Sequence, residues 1–431
     1  MGNTVSGSGK WLGMVCLVFG AEACGAPTYS GAVVASLAAD GAAPTTDAAH
    51  AADAGAMAVS PPPPVSPPTT MPPTSSPGRT PSPPACVTPA APAGVWTEVG
   101  ARPGDTGMMV TDTFGVAADD ILFAGTTAPG SAGNQLRVVR WSKGCWTLEL
   151  SVPIDPTAVD ASVNGTGPND LWAAGGDVLL HNDGTGWAPF DDSWRGKISL
   201  TPRNFDNPPG PTLMRVRAIA SDDVWVNEIE NVMHWSQGAW TTFNFDDPEY
   251  PNVPAAVAWS FRDIWIDSPA SVWVSGAIDQ VGNTMSPGIV RHFNGTTWED
   301  AQATGLSFAT AMWRSGATLW VAAGLEPDGT SIVPIPSGSQ TPFPPPITGF
   351  LITGKQFSFV TLWGRNGDDI WAGGNDVAHF DGATWSLDPT APDAARGGDG
   401  VTTFTLVGGE PDATWLATPG PRFFRKPVAA P

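Results

Sequence analysis

A short pattern recurs along this chain about every 49 residues. It consists of an acidic pair, an aliphatic residue, Trp, small residues and Gly, followed after a brief polar gap by His, an aromatic, Gly and Trp. Two clean copies are Asn169-Asp170-Leu171-Trp172-Ala173-Ala174-Gly175-Gly176 leading to His181 and Trp187, and Asp368-Asp369-Ile370-Trp371-Ala372-Gly373-Gly374 leading to His379 and Trp385. A unit of that length cannot bury its own apolar face. It must stack on its neighbours, so the repeat restricts the chain to an array of similar blocks.

Aligned on the residue after the acidic pair and its aliphatic, the centres are Leu122, Trp172, Trp225, Trp273, Trp320, Trp371 and Trp415. Each lies in a run such as Val224-Trp225-Val226, the β-branched and aromatic mixture that suits a pleated strand. Phe114, Trp265 and Trp363 mark the end of a preceding strand, and the Gly-x-x-x-Asp-Asp between reads as a tight turn. The second half of each unit carries Gly shortly before Trp, as at Gly144 and Trp146, Gly184 and Trp187, Gly238 and Trp240, Gly295 and Trp298, and Gly382 and Trp385. The fifth unit has Ser337 to Phe343 instead, read as a degenerate outer strand. The last unit stops after Phe423-Phe424-Arg425 without an outer strand, whereas Gly94-Val95-Trp96-Thr97-Glu98-Val99 is an outer strand with no unit before it. Surplus and shortage cancel if the N-terminal strand completes the last unit, which also removes the free sheet edges of an open stack. The expected fold is all-β: a seven-bladed β-propeller of four-stranded antiparallel blades over residues 94–427, closed by strand 95–99.

The hydrophobic strand followed by Gly-Gly and a later Trp resembles kelch repeats, and the polar-Asp-Gly-x-x-Trp turn resembles the Asp-box of sialidase-type propellers. The pattern departs from both, with His in place of the kelch Tyr, Gly-Gly intact only in some blades and a shortened Asp-box spacing. These resemblances imply a scaffold and no particular activity. A sialidase-type site would need an arginine triad and a Tyr nucleophile, and a galactose-oxidase-type site two copper-binding tyrosines. The two tyrosines, Tyr29 and Tyr250, suit neither.

Ahead of the ring, Lys10 precedes an apolar run from Trp11 to Phe19, short for a membrane span and fit for a secretory signal over residues 1–24. Ala21-Glu22-Ala23-Cys24 leaves open lipidation at Cys24 or ordinary cleavage nearby. Either outcome implies a secreted or cell-surface protein, in the first case of outer-membrane lipoprotein type, with membrane attachment only through such an anchor. Residues 25–93 are rich in Ala, Pro and Thr, with Pro61-Pro62-Pro63-Pro64 among them, and read as a disordered polyproline-like stalk. A formal charge of −21 argues against nucleic acid or an anionic lipid surface as partner. An oxidising compartment permits Cys86 and Cys145, the two cysteines beyond the leader, to pair.

Four of the five histidines, His181, His234, His292 and His379, occupy one repeat position, with Arg140 and Arg425 near it in other blades. Equivalent positions on different blades cannot converge on one ion at the ~2 Å bonds zinc needs, so no metal site is expected. A hydrogen bond within each blade to the Asp before the central Trp is expected instead, like the His and Asp of WD-repeat propellers. No cofactor motif is present.

Short turns should share one face of the ring and all long connections the other, including the insertions from Pro189 to Leu213 and from Asn244 to Pro254. These carry aromatics beside acids, and the candidate ligand-binding residues are Trp194, Phe205, Tyr250, Asp191, Asp192, Asp246 and Asp247. Each aromatic is either a binding anchor or a brace that pins its own loop. The functional expectation is a non-enzymatic, monomeric propeller offering its long-loop face to a protein or glycan. The alternative is a carbohydrate-active enzyme, a hydrolase or lyase, using loop carboxylates on that face.

Overall fold

The computed structural model describes residues 92–100, 108–127, 129–130, 132–197, 213–245, 257–280, 288–300, 307–325, 329–336, 359–393, 406–418 and 422–428. The expected signal over residues 1–24 with Cys24, residues 25–91 of the expected stalk, and residues 337–343 lie outside them. Within the described residues the chain forms seven antiparallel sheets, six of four strands and one, blade five, of three. Blades one to six are meanders in sequence order, the seventh takes its outer strand from the N-terminal side, and together they make a seven-bladed propeller. The repeat centres fall on the second strands, and the markers pair with them as Phe114 with Leu122, Trp265 with Trp273 and Trp363 with Trp371.

The N-terminal strand closes the ring as the count of strands required. Thr97–Glu98 pairs antiparallel with Arg422–Pro427, with Thr97 opposite Arg425 and Glu98 opposite Phe424. Gly94 N donates to Pro427 O at 2.8 Å and Val99 N to Phe423 O at 2.9 Å, which extends the pairing past both ends of the short strand. The next side chain inward, Trp96, stands edge-on to Trp371 of blade six at 5.7 Å and donates its Nε1 to Asp388 Oδ2 at 2.8 Å. Blade seven is thus built from both ends of the ring sequence and clamped to blade six.

Seven apolar clusters hold the molecule, and each lies between two adjacent blades. Trp172 and Ala174 of blade two pack on Val216, Val224 and Val226 of blade three. Trp225 of blade three in turn meets Ile264, Val272 and Val274 of blade four. Trp172, Trp225 and Trp415 are wholly buried, so cutting any of them back to Ala removes a contact worth about 3–5 kcal/mol. A single blade has an apolar surface on both flat sides and nothing to cover it except its neighbours, which is why the repeat is stable only as a ring.

Polar side chains on the first strands stitch the blades along the axis. Thr111 Oγ1 donates to Ala161 O at 2.7 Å, Ser162 Oγ accepts from Val216 N at 3.1 Å and Asp263 Oδ2 from Met312 N at 2.8 Å. Thr310 Oγ1 donates to Phe359 O at 3.0 Å, Thr361 Oγ1 accepts from Val407 N at 3.0 Å, and Glu410 Oε2 from Asp120 N at 2.7 Å. At the crowded axis Gly409 admits Trp363, since a Cβ there would come within 2.2 Å of the indole.

Candidate functional site

The repeated histidines are internal fasteners. His181, His234 and His379 each bond an aspartate two positions before the central Trp, to Asp170 at 2.7 Å, Asp223 at 2.9 Å and Asp369 at 2.9 Å. Each ring also stacks on that Trp, at 4.0, 4.0 and 4.1 Å between centroids. The cause is register, because His181 lies directly opposite Trp172 on the next strand, and the other pairs repeat this. In blade four Ser271 replaces the aspartate, and its Oγ lies 2.9 Å from His292 Nε2. Arg140 takes the position in blade one and grips Asp120 with two contacts of 2.6 Å. In blade seven Arg425 donates to Glu410 at 2.9 Å. The histidines and Arg140 are committed within blades, while Arg425 also reaches Asp119 of blade one at 3.5 Å. Among the described residues no cluster of His, Cys, Asp or Glu could hold a metal ion.

The first strand of each blade ends in a short turn, as does the third in blades one to four and six, so antiparallel alternation puts the longer connections of those blades on the opposite face. Of the seven candidate ligand-binding residues on that face, Phe205, Tyr250, Asp246 and Asp247 lie outside the described residues. Trp194 does not present its indole to solvent. It is 1% exposed on a 3-10 turn, Ser193–Lys197, packed among Trp172, Leu179, Leu213 and Trp240, with the Arg195 guanidinium 4.9 Å from its ring centre. An indole so enclosed cannot offer its face to a ligand, and Trp194 is a brace. The brace was possible from sequence because the residue follows the large apolar Phe190, whose ring sits 4.6 Å from Trp172. Asp191 and Asp192 are exposed, and the turn uses both: Asp191 Oδ1 accepts from Ser193 N at 2.8 Å and Asp192 O from Arg195 N at 3.0 Å. Trp194→Ala should therefore destabilise the fold by about 3 kcal/mol or more, read as a lower denaturant midpoint.

Along the axis the first strands line a half-open cavity of about 530 Å³, within the range of ligand pockets. Its walls form two layers. Phe114, Asn164, Arg217, Trp265 and Trp363 share one register level, each opposite its repeat centre. Asp112, Arg215 and Asp263 stand two residues earlier, about 7 Å nearer the long-loop face, with the buried Ser162 beside them. Arg217 reaches back to this second layer and donates through Nη1 to Asp112 Oδ2 at 2.9 Å, Ser162 Oγ at 3.2 Å and Val216 O at 2.9 Å. Its Nη2 lies 3.6 Å from Asp263 Oδ1, and Arg215 Nε 3.8 Å from the same oxygen. One arginine therefore joins blades one, two, three and four.

The two buried carboxyls respond to this network in opposite ways. Burial alone raises both, but at Asp112 Arg217 and Arg215 together with the hydrogen bonds from Arg217 and Ser162 outweigh it and hold the carboxyl below its ordinary value. At Asp263 burial prevails and the carboxyl is pushed up. None of this network was anticipated from sequence. The available signal was Arg215-Val216-Arg217 within the strand Leu213–Ala220, two cations on one face of a strand in a chain with only 20 Lys and Arg.

No protein-family model and no curated protein matches the chain. Solved structures match its fold. A structure of YCF48 bound to D1 peptide has a TM-score of 0.51 at 14% identity, covering 79% of this chain and 99% of that one. PorZ, a bacterial surface component of the type-IX secretion system of Porphyromonas gingivalis, has a TM-score of 0.52 at 13% identity, covering 75% of this chain and 47% of that one. YCF48 from Cyanidioschyzon merolae has a TM-score of 0.50 at 14% identity, covering 77% and 98%. At such identities the likeness is one of fold.

Proposed function

We propose that this chain is a non-enzymatic, extracytoplasmic binding or scaffold propeller that offers its long-loop face to a protein or glycan partner. The observation that carries the reading is asymmetry. The turns at the ends of the first and third strands are short on every blade where they are described, so, apart from the stretch after Pro336 in blade five, the long connections leave from one face. The residue types a catalytic site would recruit are engaged elsewhere, the histidines in blade fasteners and the axial carboxylates in amide contacts between blades.

Two further facts support it. Cys145 is disulfide-bonded, in keeping with an oxidising compartment; Cys86, its expected partner, lies outside the described residues. Among structures of this fold, one YCF48 holds a peptide and PorZ is a surface component. The closed ring leaves few free strand edges, which favours a monomer.

The test is an array of surface proteins and glycans probed with the full chain and with a variant whose residues 198–212 and 246–254 are replaced by short turns, which spares the buried Trp194, Leu213 and Phe245. Capture by the full chain, lost in the variant at unchanged melting temperature, is the expected result. Capture that survives the replacement would place the partner on another surface and end this reading.

A further inference from the structure

We propose that the axial cavity is a second, separate binding site, which takes the carboxylate of a hexuronic acid on the open edges of Arg215 and Arg217. A guanidinium carries five N–H donors in a fixed plane. Among the described residues, Arg217 places only Nη1 in hydrogen bonds, and Arg215 only Nη1, to Met214 O at 2.9 Å. Among the described residues neither Nε nor Nη2 of either side chain makes a hydrogen bond: Arg217 Nη2 lies 3.6 Å and Arg215 Nε 3.8 Å from Asp263 Oδ1, at ion-pair distance only. The two side chains are nonetheless only 20% and 12% exposed.

The carboxylates nearby are already occupied. Asp112 accepts from Thr113 N at 2.9 Å, Val163 N at 3.3 Å and Ser162 Oγ at 2.5 Å, and Asp263 from Ile264 N at 2.9 Å and Met312 N at 2.8 Å. The wall therefore has donors to spare and few free acceptors. What fits is a planar acceptor able to take two parallel N–H bonds, which is a carboxylate.

The remaining wall favours a sugar acid over an aliphatic one. Half-buried Phe114 and Trp265 give flat apolar surface, and Asn164, Thr113 and Trp363 line the cavity with them. Mixed aromatic and hydrogen-bonding walls suit a ring bearing hydroxyls.

Charge balance adds a second signature. Asp112, Asp263 and Asp160, the last 3.7 Å from Arg215, already offset the two arginines. Arg365 and Glu410 also line the cavity but are engaged by Asp369 and Thr414, and by Asp120, Trp415 and Arg425. An arriving anion makes one proton favourable, and Asp263, already pushed up by burial, is the group that takes it. Affinity for the uronate should therefore rise as pH falls, by up to about tenfold per unit.

Titration calorimetry on the full chain with glucuronate, oligouronate, glucuronamide and glucose, at pH 7 and pH 5, tests this. Expected are saturable 1:1 binding of glucuronate, at least tenfold tighter than glucuronamide or glucose, and stronger binding at pH 5. Arg215→Lys keeps the charge and removes the planar fork, so at unchanged melting temperature it should weaken glucuronate tenfold or more. Tighter oligouronate than glucuronate identifies a glycan end as the source, and equal affinity the free sugar; both support the site. No saturable glucuronate binding, equal affinity for the amide, or full binding by folded Arg215→Lys would overturn it. The comparison of acid with amide on the unaltered protein stands even if the variant fails to fold. Replacing the outer insertions should leave this binding unchanged, so its failure and that of the long-loop reading are distinguishable.

Discussion

Asp388→Ala should destabilise the ring by about 3 kcal/mol or more, because that carboxylate joins the last blade to its neighbour. It accepts from Trp96 Nε1 at 2.8 Å and from Lys426 Nζ at 2.9 Å, and its side chain is 5% exposed. Removing it strands a half-buried ammonium and an indole N–H together. Lys426 also lies 4.8 Å from the Trp371 ring centre and 5.3 Å from that of Trp96, so the charge would remain over two aromatic faces with no counter-ion.

The same residue predicts a response to acid. Against a burial cost that works the other way, hydrogen bonds from Thr390, Trp96 and Lys426 lower the Asp388 carboxyl from 3.8 to about 2. A folded-state value below the unfolded one means that the native protein binds fewer protons in that interval, so stability rises with pH across it. The contribution is complete above about pH 4, amounts to roughly 2 kcal/mol and is lost as pH falls toward 2. Glu410, which burial pushes up, and Asp263 pull in the opposite sense. The clean measurement is therefore the stability difference between the unaltered protein and Asp388→Asn, by urea unfolding at pH 6 and pH 3. The gap should narrow in acid. A gap independent of pH would show that the ionised carboxylate does not hold the closure.

Arg217→Ala should cost about 3–5 kcal/mol, the other large effect expected in this molecule. The guanidinium bridges Asp112 and Ser162 of the first two blades and sits beside Asp263 of the fourth. Its loss leaves Asp112, buried and held ionised, with only neutral donors in contact. Arg217→Met combined with Asp112→Asn removes the charges together while keeping volume, and should recover most of the loss. Chemical denaturation of the two variants decides it. If the double variant is as unstable as Arg217→Ala, packing rather than charge is what the arginine supplies.

How much of this was legible in the chain follows from the range of each interaction. Trp172, Asp170 and His181 fall within one repeat, and strand register alone brings them together. The turn residues, the seven-fold count and the closing strand are likewise consequences of local period and of an unmatched strand at each end. Trp194 illustrates the boundary: an aromatic in a long insertion reads the same whether it anchors a ligand or its own loop. Only the packing against Trp172 and Trp240 selects the brace.

The axial site lies beyond that boundary altogether. Asp112 and Arg217 stand 105 positions apart, and Trp96 and Asp388 stand 292 apart. No periodic pattern relates either pair. The repeat by itself determined the blade, the number of blades and the way they close, because each depends on alternation and turns a few residues long. Which charged side chains meet at the axis was decided only when the ring closed, since closure brings the first strands of separate blades around one axis, where a buried charge such as Asp112 must find its partner across the circle.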